Sequence, residues 1–335
     1  MKPRLLMAVA AEHRGKIFPA HVQKKIESVC DVIDAPVPAD PDAEFLKKYL
    51  GKAEIMVSGW GTAQLDAAIM AAAPSLKLLA HAAGSIKPQA SPASWDRGVR
   101  VTGAAQAIAV GVAEFCLGLM ITMSKRVWWM SQRVRQGAFS RAEDFFGPAF
   151  EIYRQKVGVI GASFVGRRLV ELLKPFGCTV VVFDPYWSRE KLQALGAEKA
   201  DTLDELFKEC RVVSLNAPTT RETERMIRGK HFAMLQNGSV FINTARGILI
   251  DQDEMVQELR RGRFVAALDV TVPEPLPIDH PLRQLPNVIV TPHEAGAFAE
   301  NLVRIGEFIS EEIERYAAGK PLLGEVTRDK LDLIA

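Results

Sequence analysis

Short apolar runs alternate with longer amphipathic stretches along the whole chain. The runs are rich in valine, isoleucine and leucine, which is typical of strands buried on both faces of a parallel sheet. The first series of predicted strands covers residues 5–10, 29–33, 54–57, 76–80 and 99–102. A second series covers residues 156–160, 179–183, 212–215, 240–243, 265–269 and 288–290. We therefore predict an α/β fold with two doubly wound parallel-sheet domains.

Helix signals stand between several of these runs. Thr202 precedes Glu205 by three residues and Asp251 precedes Glu254 by the same spacing, which is typical of helix N-termini. Near the C-terminus, apolar residues recur every three or four positions and predict a helix with one buried stripe. That stripe consists of Leu302, Ile305, Ile309, Ile313 and Tyr316.

The composition is that of an ordinary globular protein. The 335 residues are enough for two domains, and 48% hydrophobic with 24% charged residues exclude a disordered chain. A net charge of +2 does not favour a nucleic-acid partner. The four dispersed cysteines form no CxxC pair, so we predict no metal site and a reducing, cytoplasmic location.

Two stretches resemble membrane segments in part. Residues 5–11 are apolar behind two basic residues, but charged residues follow at once, so the first strand is the better interpretation than a signal peptide. Residues 101–123 are long enough to cross a bilayer, yet Glu114 lies near their middle. We predict a buried helix there and no membrane partner.

A glycine-rich turn follows the strand at residues 156–160. Gly161, Ser163 and Gly166 form a G-x-S-x-x-G version of the dinucleotide fingerprint, although a plain strand-to-helix turn also fits the glycines alone. The next strand ends in Asp184, where a carboxylate can bind both hydroxyls of an adenine ribose. This carboxylate repels a 2′-phosphate, so we expect NAD in preference to NADP. The nearby cation of Arg189 would weaken this preference for NAD.

Three polar residues follow later strands of the second series, namely Arg246, Glu274 and His293. Loops beyond the carboxyl ends of parallel strands form the ligand crevice of open α/β sheets, so these side chains can converge. Hydride transfer to a 2-keto acid needs a cation for the carboxylate and carbonyl and a proton donor for the alkoxide. A carboxylate beside the imidazole would favour its protonated form and fix its ring. Each residue alone also fits an ordinary solvated loop position.

These motifs together resemble the D-isomer-specific 2-hydroxyacid dehydrogenase family, which includes glyoxylate/hydroxypyruvate reductases and glycerate and phosphoglycerate dehydrogenases. The similarity is ordered along most of the chain. It covers residues 157–166, 184–186, 212–218, 241–247, 267–270, 273–275 and 287–293.

The resemblance implies further cofactor contacts. Phe164 and Val165 match positions whose backbone amides face the pyrophosphate, and Thr244 and Ala245 match the nicotinamide end. Asp269 matches an aspartate that holds the nicotinamide carboxamide. The predicted NAD site thus contains Gly161, Ser163, Phe164, Val165, Gly166, Asp184, Thr244, Ala245, Arg246 and Asp269.

The resemblance also implies the catalytic roles. Arg246 takes the place of the substrate-binding arginine, Glu274 that of the acid that orients the histidine, and His293 that of the general acid/base. Gly84 and Ser85 match a loop whose backbone N–H groups receive the substrate carboxylate. The implied reaction interconverts a small 2-keto acid and its D-2-hydroxy acid.

At the level of domains, the resemblance implies a discontinuous flavodoxin-like substrate domain at residues 1–107 and 298–335. A Rossmann NAD-binding domain covers residues 108–297, with the cleft between the two. It also implies a homodimer paired through the NAD-binding domains. An aromatic and arginine cluster with the composition of an interface consists of Arg126, Trp128, Trp129, Arg133 and Arg135. Packing of Trp128 or Trp129 within its own subunit fits each tryptophan equally well.

The chain departs from the family pattern at a few positions. Ser163 places a Cβ where a glycine would let the pyrophosphate approach, which is expected to weaken cofactor binding or displace the turn. Glu294 adds a carboxylate directly after His293. Ile108 stands where many relatives have an asparagine, and the Lys87-Pro-Gln stretch lacks the usual acidic continuation of the substrate loop. These departures concern the substrate more than the reaction class.

Two other classes of protein remain open. One is an NAD(H)-sensing, non-catalytic interaction protein similar to the C-terminal-binding-protein corepressors, which share the three polar residues. The other is a different Rossmann enzyme, such as an adenosylhomocysteinase-like or alanine-dehydrogenase-like protein. The order of Arg246, Glu274 and His293 favours the hydroxyacid dehydrogenase over this last class.

Overall fold

The computed structural model describes residues 2–141 and 145–333. Its strands are β1 (Arg4–Ala8), β2 (Asp31–Val32), β3 (Ile55–Ser58), β4 (Leu78–His81), β5 (Arg100–Gly103), β6 (Lys156–Ile160), β7 (Thr179–Phe183), β8 (Glu198–Lys199), β9 (Val212–Leu215), β10 (Val240–Asn243), β11 (Val265–Leu268) and β12 (Val288–Val290). Its helices are α1 (Ala11–Ile17), α2 (Ala20–Val29), α3 (Ala43–Tyr49), α4 (Ala67–Ala72), α5 (Pro92–Asp96), α6 (Ala105–Ser124), α7 (Val127–Arg135), α8 (Phe164–Leu173), α9 (Arg189–Leu195), α10 (Leu203–Glu209), α11 (Gly229–Met234), α12 (Gln252–Leu259), α13 (Pro281–Gln284) and α14 (Ala299–Ala317).

The chain divides into two compact units. The first unit comprises Met1–Ile108 and Ala297–Ala335, and the second unit comprises Ala109–Gly296. The first unit contains a five-stranded sheet in the order β2-β1-β3-β4-β5, and the second contains a seven-stranded sheet in the order β12-β11-β10-β9-β6-β7-β8. The described strands of both sheets pair in parallel. The predicted α/β fold with two parallel sheets is therefore confirmed.

In the first unit, both faces of the sheet are covered by apolar residues. One core combines β1, β3 and β4 with α2 and α14, and the other lies on the opposite face against α3 and α4. The predicted stripe on α14 belongs to the first of these cores. Gly306 permits the close crossing, because a Cβ there would lie 1.8 Å from the carbonyl oxygen of Ile17. The C-terminal helix thus packs on the N-terminal strands, as its stripe requires.

The segment after α14 returns to the edge of the same sheet. Glu325 pairs antiparallel with Thr102 of β5, and Val326 donates its N–H to Val101. The carboxylate of Glu312 is fully buried beneath this segment. It accepts hydrogen bonds from the Thr102 hydroxyl and from the backbone N–H groups of Leu323 and Gly324. Three hydrogen bonds to a buried carboxylate therefore hold the C-terminal segment in place. The sequence pattern did not predict this contact.

In the second unit, the helix caps follow the sequence signals. The side chain of Thr202 accepts from the Glu205 N–H at 3.1 Å, and Asp251 accepts from the Glu254 N–H at the same distance. The two predicted N-termini are thereby confirmed. The core beneath them lies between the sheet and helices α10, α11 and α12. The two-residue strand β8 was missed, since it is too short to show a pattern.

Helix α6 is the one stretch, within the residues that the structure describes, long and apolar enough to cross a bilayer. Half of its most apolar window is buried inside the protein, and core helices of soluble proteins meet the same criterion. Glu114, near its middle, is exposed.

The predicted interface cluster separates into buried and exposed members. Arg126 has no exposed surface and donates to the carbonyl oxygens of Phe145, Met123 and Gly238. Trp129 is buried as well, and its indole N–H donates to a backbone carbonyl within the same unit. The assignment of these two residues to an interface is therefore wrong, because their polar groups are satisfied inside the second unit. Trp128 remains exposed.

Candidate active site

The glycine turn joins β6 to α8 in a conformation that only glycine allows. Gly161 has a φ of +94°, and a Cβ there would lie 2.7 Å from the backbone of Ala217. A Cβ on Gly166 would lie 2.0 Å from the carbonyl oxygen of Gly161. Both glycines are thus required for the helix to start directly above the strand.

Ser163 is the N-cap of α8. Its backbone is extended, and its hydroxyl accepts from the Gly166 N–H at 3.3 Å. In the described part of the chain, the N–H groups of Ser163, Phe164 and Val165 have no acceptor. Three free amides at the start of a ten-residue helix fit a pyrophosphate well. The serine that departs from the glycine pattern therefore also stabilises the turn, which sequence reasoning missed.

Asp184 supports the same turn from β7. Its Oδ2 accepts from the Ala162 N–H at 2.7 Å, and its Oδ1 accepts from the Tyr186 N–H at 2.9 Å. The carboxylate is half-buried at the strand end, the position from which a ribose can be bound. Arg189, the cation expected to act against the NAD preference, is instead paired with Asp201 at 3.0 Å.

A different arginine influences this end of the site. The Arg167 guanidinium lies over the rings of Phe164 and Trp187, at 4.8 and 5.4 Å from the ring centres, and donates to the Ala162 carbonyl. Burial lowers its pKa, and the charge of Asp184 opposes that shift. This electrostatic interaction of Arg167 with Asp184, at the predicted ribose position, was not predicted from the sequence.

Arg246 follows β10 in a loop that Asn243 holds in place. The Asn243 side chain accepts from the Ala245 N–H and donates to the Arg246 carbonyl. The Arg246 guanidinium is partly buried and donates to the Ala245 carbonyl at 2.6 Å. Burial lowers its pKa, while the charge of Glu274 acts to raise it. An arginine and a glutamate that lie far apart in the sequence thus influence each other electrostatically.

Glu274 and His293 form a hydrogen-bonded pair. Glu274 Oε2 lies 2.9 Å from His293 Nδ1, and its Oε1 accepts from the Thr271 N–H at 2.8 Å. A carboxylate can only accept, so Nδ1 carries the hydrogen and Nε2 is left for a further partner. Both side chains are partly exposed. The structure thus brings together the two residues that were predicted to transfer the proton and to orient the imidazole.

The backbone at His293 is strained, and Asp269 holds it. His293 has a φ of +60°, a left-handed conformation that costs a non-glycine residue about 1 kcal/mol. Asp269 is 2% exposed and accepts from the N–H groups of Glu294 and Ala295 at 3.1 and 3.0 Å and from the Thr291 hydroxyl. The aspartate predicted to hold the carboxamide therefore also fixes the histidine loop; its contact with the cofactor stays a prediction. The Glu294 side chain is exposed.

At the predicted nicotinamide end, Thr244 is buried. Its hydroxyl lies 3.1 Å from Cys116 Sγ on α6. Burial raises the pKa of the Cys116 thiol to about 11, so it is a neutral packing group there. Sequence analysis did not connect α6 with this loop, because nothing local to either segment indicates the contact.

The predicted substrate loop lies in the first unit, after β4. Gly84 and Ser85 are half-buried. The N–H groups of residues 83–86 have no acceptor among the residues that the structure describes. Consecutive free N–H groups make a concave anion site, which suits a carboxylate. No cluster of three or more metal-ligating side chains occurs in residues 2–141 and 145–333.

The comparison with protein families agrees with this geometry. The model of the D-isomer specific 2-hydroxyacid dehydrogenase NAD-binding domain matches residues 117–295. The chain therefore belongs to the D-isomer specific 2-hydroxyacid dehydrogenase family, as its motifs predicted. The predicted cofactor, NAD, is confirmed by the same match.

Individual relatives differ in length. The chain is 30% identical over 278 residues to a D-3-phosphoglycerate dehydrogenase of Methanocaldococcus jannaschii, covering 83% of this chain and 52% of the relative. It thus spans about half the length of that protein. It is 27% identical over 322 residues to a glyoxylate reductase of Korarchaeum cryptofilum, covering 96% of this chain and 94% of the relative.

Solved structures share the fold. The TT0316 protein of Thermus thermophilus has 27% identity and a TM-score of 0.76, over 97% of this chain and all of the other. The apo D-mandelate dehydrogenase of Rhodotorula graminis has 24% identity and a TM-score of 0.83, over 98% of both chains. The second similarity concerns the fold alone.

Proposed function

We propose that this chain is an NAD-dependent oxidoreductase that interconverts a small 2-oxo acid and its D-2-hydroxy acid, with His293 as the proton donor and acceptor. The hydrogen bond between His293 and Glu274 carries the proposal. It leaves Nε2 able to give a proton to a developing alkoxide and to take it back in the reverse direction. NAD, when bound, supplies or accepts the hydride.

The other predicted residues fit this reaction by their chemistry. Arg246 is partly buried, so water screens its charge less than at an exposed position, and its guanidinium suits a carboxylate or a polarised carbonyl. The free N–H groups at Gly84 and Ser85 suit the carboxylate of the same class of substrate. The free amides at the start of α8 suit the pyrophosphate, and Asp184 suits a ribose that carries both hydroxyls.

A substrate panel with matched variants tests the proposal. NADH oxidation is followed with glyoxylate, hydroxypyruvate, 3-phosphohydroxypyruvate and bulkier 2-oxo acids. H293A is expected to lower kcat by about 10²- to 10⁴-fold on the best substrate, because a general acid is lost. The control is H21A, since His21 is an exposed histidine that also lies beside a carboxylate, 3.4 Å from Glu307. Unchanged turnover in H293A would refute the proton-transfer role.

The same panel separates the alternative function. An NAD(H)-sensing interaction protein would bind NADH and turn over none of the oxo acids. Sedimentation with and without NADH would test the predicted homodimer. A cytoplasmic location likewise stays a prediction.

The cofactor preference has its own test. D184N removes the charge and retains one oxygen that can accept from a backbone N–H. We expect the ratio of NADPH to NADH affinity to rise, because the repulsion of the 2′-phosphate is lost while the nearby cation of Arg167 remains. An unchanged ratio would show that Asp184 does not set the preference.

A further inference from the structure

The loop that carries Glu274 lies beyond the hydrogen-bond ladder of the sheet. Strand β11 ends at Leu268, and Glu274 follows it, between Pro273 and Pro275. Neither proline has a backbone N–H, so the loop is short of donors on both sides of Glu274. The Glu274 and His293 side chains are 39% and 47% exposed. Packing alone therefore does not fix the carboxylate, and its position depends on the groups that hold the loop.

Thr271 holds one part of this loop. Its hydroxyl donates to the Pro273 carbonyl at 3.0 Å, and its N–H donates to Glu274 Oε1 at 2.8 Å. The other carboxylate oxygen, Glu274 Oε2, lies 2.9 Å from His293 Nδ1. One residue thus contacts both the backbone before Glu274 and the carboxylate itself.

Thr271 is itself held in place. It is 8% exposed, and a Cβ at Gly247 would lie 2.3 Å from the Thr271 carbonyl carbon. Gly247 directly follows Arg246 in the chain. The Arg246 loop therefore packs against the residue that holds Glu274, so a shift of Thr271 would disturb both loops.

Gln252, the first residue of α12, holds the next part of the loop. Its Oε1 accepts from the Val272 N–H at 3.0 Å, and its Nε2 donates to the Val272 carbonyl at 2.6 Å. The two bonds satisfy both backbone groups of Val272, as a neighbouring strand would. Thr271 and Gln252 together therefore fix the backbone that immediately precedes Glu274.

We propose that Thr271 and Gln252 are positioning residues for the proton-transfer pair, and that they hold the Glu274 carboxylate where it meets His293 Nδ1. This inference rests on the proposed function, specifically on proton transfer by His293 with Glu274 as its orienting acid. Both residues act through Glu274, so their loss falls on the chemical step rather than on the binding of the substrate or of NAD.

Matched substitutions test these roles, with NADH oxidation followed on the best 2-oxo acid. T271V removes the hydroxyl at nearly constant shape, T271S keeps the hydroxyl, and Q252M removes both polar groups of the amide at similar length. We expect T271V and Q252M each to lower kcat by about three- to tenfold, because the hydrogen-bonded pair is displaced. T271S should retain most of the wild-type kcat. KM for the oxo acid and the Kd for NADH should change less than about threefold in these variants.

A second background separates positioning from general loss of stability. E274A removes the carboxylate, so T271V and Q252M should lower kcat by less than about twofold further in that background. Equal fold losses in the wild-type and E274A backgrounds would overturn the inference. If E274A is too slow to measure, a loss of kcat in T271S equal to that in T271V overturns it. If T271V does not fold, an unchanged kcat in Q252M overturns it.

Two controls make the same side-chain changes elsewhere in the second unit. T202V removes the hydroxyl that caps α10, and Q284M removes an amide that donates to the Asp279 carbonyl at 3.4 Å. T202V should lower stability, and both controls should retain the wild-type kcat. Losses of kcat in these controls as large as those in T271V and Q252M would also overturn the inference.

Failure of the proposed function gives a different result. If the wild-type chain turns over none of the oxo acids, the proposed function fails and the inference falls with it. If the wild-type chain is active and H293A is inactive, but T271V and Q252M keep the wild-type kcat, then the proposed function stands and only the roles of Thr271 and Gln252 are refuted.

Discussion

Acidification is expected to destabilise the first unit through His81. The ring is 1% exposed and lies against the Ser58 hydroxyl, and no charged side chain acts to stabilise an imidazolium there. Its pKa is about 4 in the folded chain, against about 6.5 when unfolded. The unfolded state therefore binds more protons in this window. The stability contributed by the neutral ring is fully present above pH 6.5 and is lost as the pH falls toward 4.

The size of the effect follows from these two values. Between about pH 7.5 and about pH 5, the difference in proton binding amounts to about 2 kcal/mol of unfolding free energy. Other groups titrate in the same range, so the comparison is made between the wild type and H81Q, whose side chain does not titrate. The stability advantage of the wild type over H81Q should shrink by about 2 kcal/mol across this range.

The assay must report on the first unit alone. Urea unfolding is followed by hydrogen-exchange mass spectrometry of peptides covering β3 and β4, at both pH values. L78A serves as a second reference, because it lowers stability without removing a titrating group. A constant difference between the wild type and H81Q at the two pH values would refute the reasoning, since it would mean that His81 binds protons equally well in both states.

Substitutions at three further residues have expected outcomes. S163A should cost about 1 kcal/mol in urea unfolding by removing the N-cap, whereas S163G should cost only a few tenths; equal losses would contradict a capping role. G166A should weaken NADH binding in fluorescence titrations by at least about tenfold, because its Cβ would lie 2.0 Å from the Gly161 carbonyl oxygen; unchanged binding would contradict the close crossing. E312A should lose about 2 kcal/mol or more in urea, since the Thr102 hydroxyl and two N–H groups are left unpaired; a neutral effect would contradict the fastening role.

The sequence predicts those features whose cause is local. A buried parallel strand is an apolar run in the sequence whatever strand it pairs with. The strands of both sheets could therefore be predicted from such runs, beginning with residues 5–10. The caps at Thr202 and Asp251 also depend on residues three positions away. The pairing of Glu274 with His293 was predicted because both follow strands at one sheet edge.

Features that depend on distant contacts were missed. Arg126 and Trp129 have the composition of an interface, yet they are buried by segments that follow them by up to 157 positions. The carboxylate of Glu312 meets Thr102 across 210 positions. No local sequence pattern indicates such partners, because the same residue type can be exposed to solvent or buried against a distant segment.

A different limit applies where the backbone is the binding group. The start of α8 and the loop at residues 83–86 both offer N–H groups, which every residue but proline carries, so their side chains reveal little about binding. The residues that hold the backbone are more informative, as Gly166 and Asp184 are for the turn. Substitutions at such supporting residues should change the affinity for the cofactor or the substrate, whereas substitution of His293 should change the rate of the chemical step. The division between KM and kcat therefore tests which groups bind and which react, independently of the substrate identified.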